Sequence, residues 1–196
     1  MIKIILSENK YLIGLGLISP IAFLLNTQIL FLFCFIYCVL IFKKERETRL
    51  REIIKCTVSF IKICPIIYIL SILSKLILYE FEEQDKVVEL KRNFSENLVY
   101  NIITITIIAP IIEETIFRGL FYRSIKNLMP VSFSIIITSL IFSIIHQNIL
   151  SIVILFFLSG YLTYIYERYG NIIYPIIVHS IFNSIMLFLI YLDGYV

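Results

Sequence analysis

Long runs of apolar residues alternate with short polar stretches along the chain. Their lengths and boundaries predict seven helices. These cover residues 11–25, 28–42, 53–79, 98–127, 130–146, 149–168 and 172–192. Several runs reach the roughly 20 apolar residues that a helix needs to cross a hydrocarbon core of about 30 Å. The pattern therefore predicts an all-α fold, a polytopic integral membrane bundle of about seven transmembrane helices.

The composition favours a membrane protein over a soluble one. Hydrophobic residues make up 60% of the 196 positions, and the mean hydropathy is +0.95. A soluble domain of this size would have too little polar surface left to face water. We therefore expect a multi-pass protein of the plasma membrane, with the lipid bilayer and no nucleic acid as its partner.

The charges along the chain predict an orientation. The loop at 80–96 is mostly acidic, whereas basic residues crowd the junction between the second and third predicted helices. The bias of basic residues toward the cytoplasm puts this junction and the amino terminus inside. An odd number of helices then puts the carboxyl terminus outside. The basic residues of the junction are Lys43, Lys44, Arg46, Arg49, Arg51 and Lys55.

Ionisable residues inside predicted helices divide the chain into two parts. Residues 1–97 hold the first three helices and the acidic loop, and residues 98–196 hold the other four. Each ionisable group inside a span costs about 2.5–3.5 kcal/mol on insertion scales, so such groups indicate function by default. Three clusters of this kind occur, all in the second part.

The first cluster contains two adjacent carboxylates, Glu113 and Glu114, with Arg118 after them. Arg118 lies about 40° from Glu114 around a helix, and a glutamate four residues before an arginine suits an ion pair. Glu113 points about 100° away, which leaves it as the candidate reactive carboxylate. The alternative is that all three groups are merely solvated at the end of the fourth helix.

The second and third clusters contain the only two histidines of the chain, His146 and His179. Phe142 lies four residues before the first, and Asn183 lies four residues after the second. A neutral imidazole can relay a proton or bind a metal, and an asparagine amide suits the stabilisation of an oxyanion. The alternative for each histidine is a hydrogen-bonded core residue.

The spacing predicts that the clusters meet. Glu113 lies about 16 residues before the turn at Met129-Pro130 and His146 about 17 after it, so an antiparallel hairpin brings them level. The length of the sixth helix, however, would lift His146 toward the outer side. Either a tilt or a fifth helix that ends within the membrane would remove this conflict.

Two prolines precede the polar clusters: Pro110 lies three residues before Glu113, and Pro175 four before His179. Inside a helix a proline frees a carbonyl and bends the axis, which opens room for water. Pro175 fits equally well as a first-turn proline.

Together the motifs Glu-Glu-x3-Arg, Phe-x3-His and His-x3-Asn resemble those of the CPBP family. This family comprises the CAAX-protease and bacteriocin-processing intramembrane peptidases, also called the Abi or type II CAAX prenyl endopeptidase family. The resemblance covers about residues 98–190, makes residues 98–196 the catalytic core, and includes Gly119 and the Tyr-x-Tyr-Glu-Arg-x-Gly-Asn stretch at 164–171. The family is variable in the part that corresponds to residues 1–97.

The resemblance implies hydrolysis of a peptide bond within the membrane. Glu113 and His146 would activate a water molecule, and His179 and Asn183 would hold the oxyanion. No metal ion or other cofactor is favoured, because the chain lacks HExxH and a nearby cysteine pair. The alternative is Zn²⁺ held by Glu113, His146 and His179. The supporting residues implied by the match are Glu114, Arg118 and Phe142.

The expected substrate is a small membrane-associated peptide. The chain is rich in Ile, Lys, Asn and Tyr, as proteins of AT-rich bacterial genomes are, and bacterial relatives are linked to bacteriocin self-immunity and to peptide or pheromone maturation. Processing of prenylated CAAX proteins is a second possibility. The competing functions are a non-catalytic membrane scaffold or immunity protein, and a proton-coupled transporter, since intramembrane carboxylates and histidines also build proton relays.

Overall fold

The computed structural model describes residues 19–20, 36, 45, 47–77 and 97–193. All regular structure within these residues is helical. Apart from single positions, the first two predicted helices and the 80–96 loop lie outside the described residues. Four described helices are long and apolar enough to cross a membrane, which supports a multi-pass membrane protein but does not confirm the count of about seven. These four are Leu50–Ser74, Leu98–Lys126, Ile149–Tyr169 and Ile173–Leu192.

Each predicted helix from the third to the seventh has a counterpart in the described part of the chain. A short 3₁₀ turn, Ile149–Ser151, precedes the fourth of these counterparts. The helix ends differ from the predicted ends by a few residues, as is usual for helix boundaries. The five helices are α1 (Leu50–Ile77), α2 (Leu98–Lys126), α3 (Val131–Ile145), α4 (Ile152–Tyr169) and α5 (Ile173–Asp193).

Helix α2 changes its hydrogen-bond register along its length. Two π-helical stretches, Thr104–Ile108 and Thr115–Tyr122, flank a short α-helical segment, Ala109–Glu114. This segment begins next to Pro110 and ends with the two adjacent glutamates. Isolated π-helical turns inside helices are frequent at functional sites. The register of α2 therefore changes on both sides of the segment that carries the glutamates.

Helix α3 is too short to cross the membrane without help. Its 15 residues span about 22 Å at 1.5 Å per residue. The helix ends at Ile145, and the chain turns at Gln147, which has a φ of 53°. This length is compatible with a fifth helix that ends within the membrane, one of the two arrangements that the sequence leaves open. His146 follows directly after the last residue of α3.

The described helices pack through three groups of buried side chains and one close contact. The largest group joins α1, α4 and α5, and a second joins α2 and α3 around Phe117 and Phe142. The third joins the end of α2 to α4 and α5 around Tyr122 and Tyr166. At the contact of α3 with α4, a Cβ atom on Gly160 would lie 3.5 Å from the Ser139 hydroxyl. Small residues matter here because lipid is as apolar as leucine, so close packing rather than hydrophobicity holds membrane helices together.

The outer faces of the helices are apolar. On α1, for example, the side chains of Ile61, Ile66 and Tyr68 are more than half exposed. In water such a surface would favour aggregation, whereas in a bilayer it contacts acyl chains. The exposed faces therefore fit a lipid environment.

A buried carboxylate fixes the start of α5. Glu45 accepts a hydrogen bond from the backbone N–H of Ile172 at 2.7 Å and one from the hydroxyl of Tyr166 at 3.0 Å. Burial raises the pKa of the Glu45 carboxyl, and these two hydrogen bonds oppose that rise. The contacts join the segment before α1 to the α4–α5 turn and so hold the helix that carries the second histidine.

Candidate active site

Three helices bring one carboxylate and both imidazoles together. The Oε2 atom of Glu113 lies 3.5 Å from Nε2 of His146 and 3.7 Å from Nε2 of His179. These separations slightly exceed a direct hydrogen bond of about 2.7–3.2 Å. The same Oε2 atom is buried, and among the described residues no hydrogen-bond donor lies within the usual limits of it. A carboxylate oxygen in this position can accept a proton from a water molecule or from either imidazole.

The other ring nitrogens define how each histidine is oriented. Nδ1 of His146 lies 2.6 Å from the carbonyl oxygen of Phe142, and Nδ1 of His179 lies 2.7 Å from Oε1 of Glu114. A carbonyl or carboxylate oxygen only accepts, so we assign a proton to Nδ1 of both rings. Both Nε2 atoms then face Glu113, and each is available to bind or release a proton.

Glu114 and Arg118 form the ion pair that their spacing predicts. Nη1 of Arg118 donates to Oε1 of Glu114 at 2.9 Å, and neither side chain is exposed. Because Oε1 of Glu114 also accepts from His179, the pair holds that imidazole in place. The arrangement resembles a histidine held by a buried carboxylate, which fixes the ring and its tautomer.

The alternative of a solvated helix end is wrong for these three charged residues. Glu113 is 8% exposed, and Glu114 and Arg118 are 0% exposed. They lie inside the bundle because the second π-helical stretch, which contains Arg118, packs against α3 and α4. Burial makes pairing necessary, since an isolated buried charge costs far more than a paired one.

Helix α4 supplies an anchor for Arg118 that our sequence analysis missed. Nη2 of Arg118 donates to the backbone oxygen of Ser159 at 2.9 Å and to its hydroxyl at 2.7 Å. Nε of Arg118 donates to the hydroxyl of Thr163 at 3.3 Å. The available signal was the Ser-x3-Thr spacing within an otherwise apolar run, which puts both hydroxyls on one face of the helix.

Phe142 forms a wall of the site. Its ring centroid lies 4.5 Å from that of His146 and 5.9 Å from that of His179. The guanidinium carbon of Arg118 lies 5.0 Å from the same ring centroid. A cation over an aromatic face is attracted by the ring quadrupole. Phe142 therefore packs against the arginine and against both imidazoles.

The formal charges of the cluster leave room for one additional proton. Two carboxylates, Glu113 and Glu114, face one guanidinium, that of Arg118, which gives one excess negative charge. A proton on either imidazole, or on Glu113, makes the buried cluster neutral. Since a buried net charge is expensive, the site is built to hold one exchangeable proton. This is the requirement for general acid–base chemistry.

Asn183 lies one turn after His179 on the same helix, and its amide donates a hydrogen bond to the backbone of α2. Its Nδ2 atom donates to the backbone oxygen of Ile105 at 2.9 Å. The amide nitrogen carries two hydrogens, so this contact uses one of them and leaves the other. The structure thus brings together Glu113, Glu114, Arg118, Phe142, His146 and His179 by direct contacts, and it ties Asn183 to the backbone of α2.

The described part of the chain contains no group of three or more His, Cys, Asp or Glu side chains arranged to hold a metal ion. A zinc site needs donor atoms about 2.0–2.2 Å from one point. Zn²⁺ held by Glu113, His146 and His179 stays an alternative prediction to metal-free chemistry.

Comparison with known proteins gives one match. Residues 95–185 match the family described as Type II CAAX prenyl endopeptidase Rce1-like. This segment contains every candidate and supporting residue named above, and it confirms the family resemblance of the motifs. No curated protein and no solved structure matches the chain significantly.

Proposed function

We propose that the protein hydrolyses a peptide bond within the membrane. Residues 95–185 match the Rce1-like CAAX endopeptidase family, whose members cleave such bonds. The residues proposed to perform the hydrolysis are Glu113, His146, His179 and Asn183. The observation that carries the proposal is the position of the Glu113 carboxylate between two imidazoles from other helices. The family match suggests the reaction type, and the geometry of the site supports the proposed roles.

In the proposed reaction, Glu113 and His146 deprotonate a water molecule. The resulting hydroxide adds to the carbonyl carbon of the scissile bond and forms a tetrahedral oxyanion. The carbon–nitrogen bond then breaks, and the proton held by Glu113 or His146 passes to the departing amine. A general base can remove a proton from a group that lies about 2.6–3.2 Å away, or from one that it reaches through a single water molecule. In the net reaction, one water molecule is consumed and one peptide bond is cleaved.

The oxyanion is stabilised by His179 and Asn183 in this proposal. Nδ1 of His179 donates to Glu114, so its Nε2 can donate only when the ring is protonated. Asn183 contributes the amide hydrogen that is not donated to Ile105. Donors fixed in a protein interior of low dielectric stabilise a developing oxyanion far more than donors in water do.

We propose that the reaction needs no metal ion. The support is the lack of an HExxH motif and of a nearby cysteine pair in the sequence. Active purified protein is expected to contain zinc well below one equivalent and to keep its activity after dialysis against a chelator. Metal analysis of the same preparation that is assayed provides the measurement. Stoichiometric zinc, with activity lost on chelation and restored by zinc, would contradict this part of the proposal.

We propose a small membrane-associated peptide as the substrate, of the bacteriocin or pheromone type. Support comes from the apolar outer faces of the helices, which place the site in a lipid environment where membrane-associated peptides are found. The family description favours a second candidate, a prenylated carboxyl-terminal peptide.

A paired digestion separates the two substrate classes. Unmodified hydrophobic leader peptides and farnesylated CAAX peptides would be incubated with the protein in vesicles, and products identified by mass spectrometry. Cleavage of the leader peptides, and little cleavage of the farnesylated ones, is expected. Preference for farnesylated peptides would assign the prenyl class instead, and the Glu113→Gln protein serves as the inactive control in both arms.

We also propose a plasma-membrane location with the amino terminus in the cytoplasm and the carboxyl terminus outside. The support is that basic residues from distant parts of the chain share one end of the bundle. Arg49 and Arg168 line one cavity there together with Glu47 and Glu52, and Arg123 lies 4.0 Å from Glu45 at the same end. A shared basic end fits the cytoplasmic side.

A further inference from the structure

Pro110 leaves one backbone carbonyl of α2 without its helical donor. In the π-helical stretch Thr104–Ile108 the N–H of Ala109 donates to the oxygen of Thr104, five residues earlier. The next bond in this register would run from residue 110 to the oxygen of Ile105. Proline has no N–H, and the N–H of Ala109 is already used. The register of the helix and the position of the proline thus identify Ile105 as the residue whose carbonyl is freed.

The freed carbonyl is the one that Asn183 contacts. Nδ2 of Asn183, on α5, donates to the oxygen of Ile105 at 2.9 Å across 78 positions of sequence. A carbonyl only accepts, so the contact also determines which end of the amide faces α2. Without it, the nitrogen and oxygen of the amide could exchange places by rotation. The amide orientation at this position is therefore set by the backbone of α2.

We propose that Pro110 is a positioning residue for Asn183: by removing one backbone donor, it creates the acceptor that holds the Asn183 amide with its nitrogen toward α2. The inference rests on the proposed role of Asn183 as an oxyanion donor. Pro110 itself touches no reacting atom in this scheme. Its effect on the reaction passes through the Ile105 carbonyl and the amide of Asn183.

Substituting alanine for Pro110 restores the competing donor. The N–H of residue 110 would continue the π-helical register and donate to Ile105, the atom that Asn183 now uses. The Asn183 amide would lose its fixed partner and sample orientations with its oxygen toward the oxyanion. Misplacement of a catalytic group by about 1 Å can cost about 100-fold in rate, and partial disorder of one donor costs less.

The kinetic test compares four proteins. Pro110→Ala is expected to lower kcat about tenfold with KM within about twofold, and Asn183→Ala to lower kcat about 100-fold or more. The double variant Pro110→Ala/Asn183→Ala is expected to be no slower than Asn183→Ala alone, because both act through one amide. Pro65→Ala is the matched control, since Pro65 also lies inside a helix but on α1, away from the site.

Thermal unfolding provides a readout that does not need activity. Asn183→Ala leaves the Ile105 carbonyl without a donor, so it should lower Tm clearly in the wild-type background and less in the Pro110→Ala background. Equal Tm decreases in both backgrounds, or wild-type kcat in Pro110→Ala, would overturn the inference. If Glu113→Gln cleaves as well as wild type, the proposed function fails, while the Tm comparison still decides whether Pro110 positions Asn183.

Discussion

Protein carrying Glu113→Gln is expected to lose peptide hydrolysis by at least about 10³-fold while it stays folded and inserted. Glutamine keeps the shape of the side chain but cannot accept the proton of the attacking water. Folding should be preserved because the remaining pair, Glu114 with Arg118, is neutral without any added proton. His146→Ala is expected to cause a similar loss, since its Nε2 is 3.5 Å from the same carboxylate.

The matched control for this prediction is Glu52→Gln. Glu52 lies in the first turn of α1 and pairs with Lys55 at 2.9 Å, away from the site. The Glu52→Gln protein should retain the wild-type kcat. Cleavage by either Glu113→Gln or His146→Ala at the wild-type rate would refute the assigned roles. A scaffold or immunity protein would also keep its function in the Glu113 variant, so the same measurement separates binding from catalysis.

Arg118→Leu is expected to destabilise the protein by about 3–5 kcal/mol, because removing one partner of a buried ion pair leaves an uncompensated buried charge. Arg118 is fully buried, and in its absence Glu114 would keep only its contact with His179. Ser159 would lose its charged donor as well. The free energy of unfolding in mixed micelles is the quantity to measure.

Two further variants are expected to lower the free energy of unfolding by less than Arg118→Leu does. Arg123→Leu removes an arginine that is 44% exposed and lies 4.0 Å from Glu45, so its cost should stay below about 1 kcal/mol. Arg118→Lys keeps the charge but cannot span Glu114, Ser159 and Thr163 with one planar group, so it should fall between the two. Wild-type stability in Arg118→Leu would show that the buried pair does not hold the site together.

The local features of this fold follow from the sequence. Apolar run lengths predict the ends of α1 to α5 within a few residues. The Glu114–Arg118 pair follows from helical periodicity, because residues four apart lie on one face. The equal spacing of Glu113 and His146 about a turn predicts their meeting across the α2–α3 hairpin. In each case the relevant distance is fixed by one helix or by one short connection.

The features that depend on packing between distant helices do not follow from the sequence. Helical periodicity says nothing about which face of α4 meets α2, so the contacts of Arg118 with Ser159 and Thr163 were missed. The meeting of His179 with Glu113 was predicted, but the contact of His179 with Glu114 was not. A proline indicates that some carbonyl is freed, but only the π-helical register identifies Ile105. The catalytic roles themselves stay predictions.

The central claim is that α2, α3 and α5 place one carboxylate between two imidazoles in a chamber enclosed by protein. An experimental structure of the wild-type protein in lipid tests it directly, through the distances from Glu113 Oε2 to the Nε2 atoms of His146 and His179. The account predicts values near 3.5 and 3.7 Å. Separations beyond about 6 Å, too long for one bridging water, would contradict it.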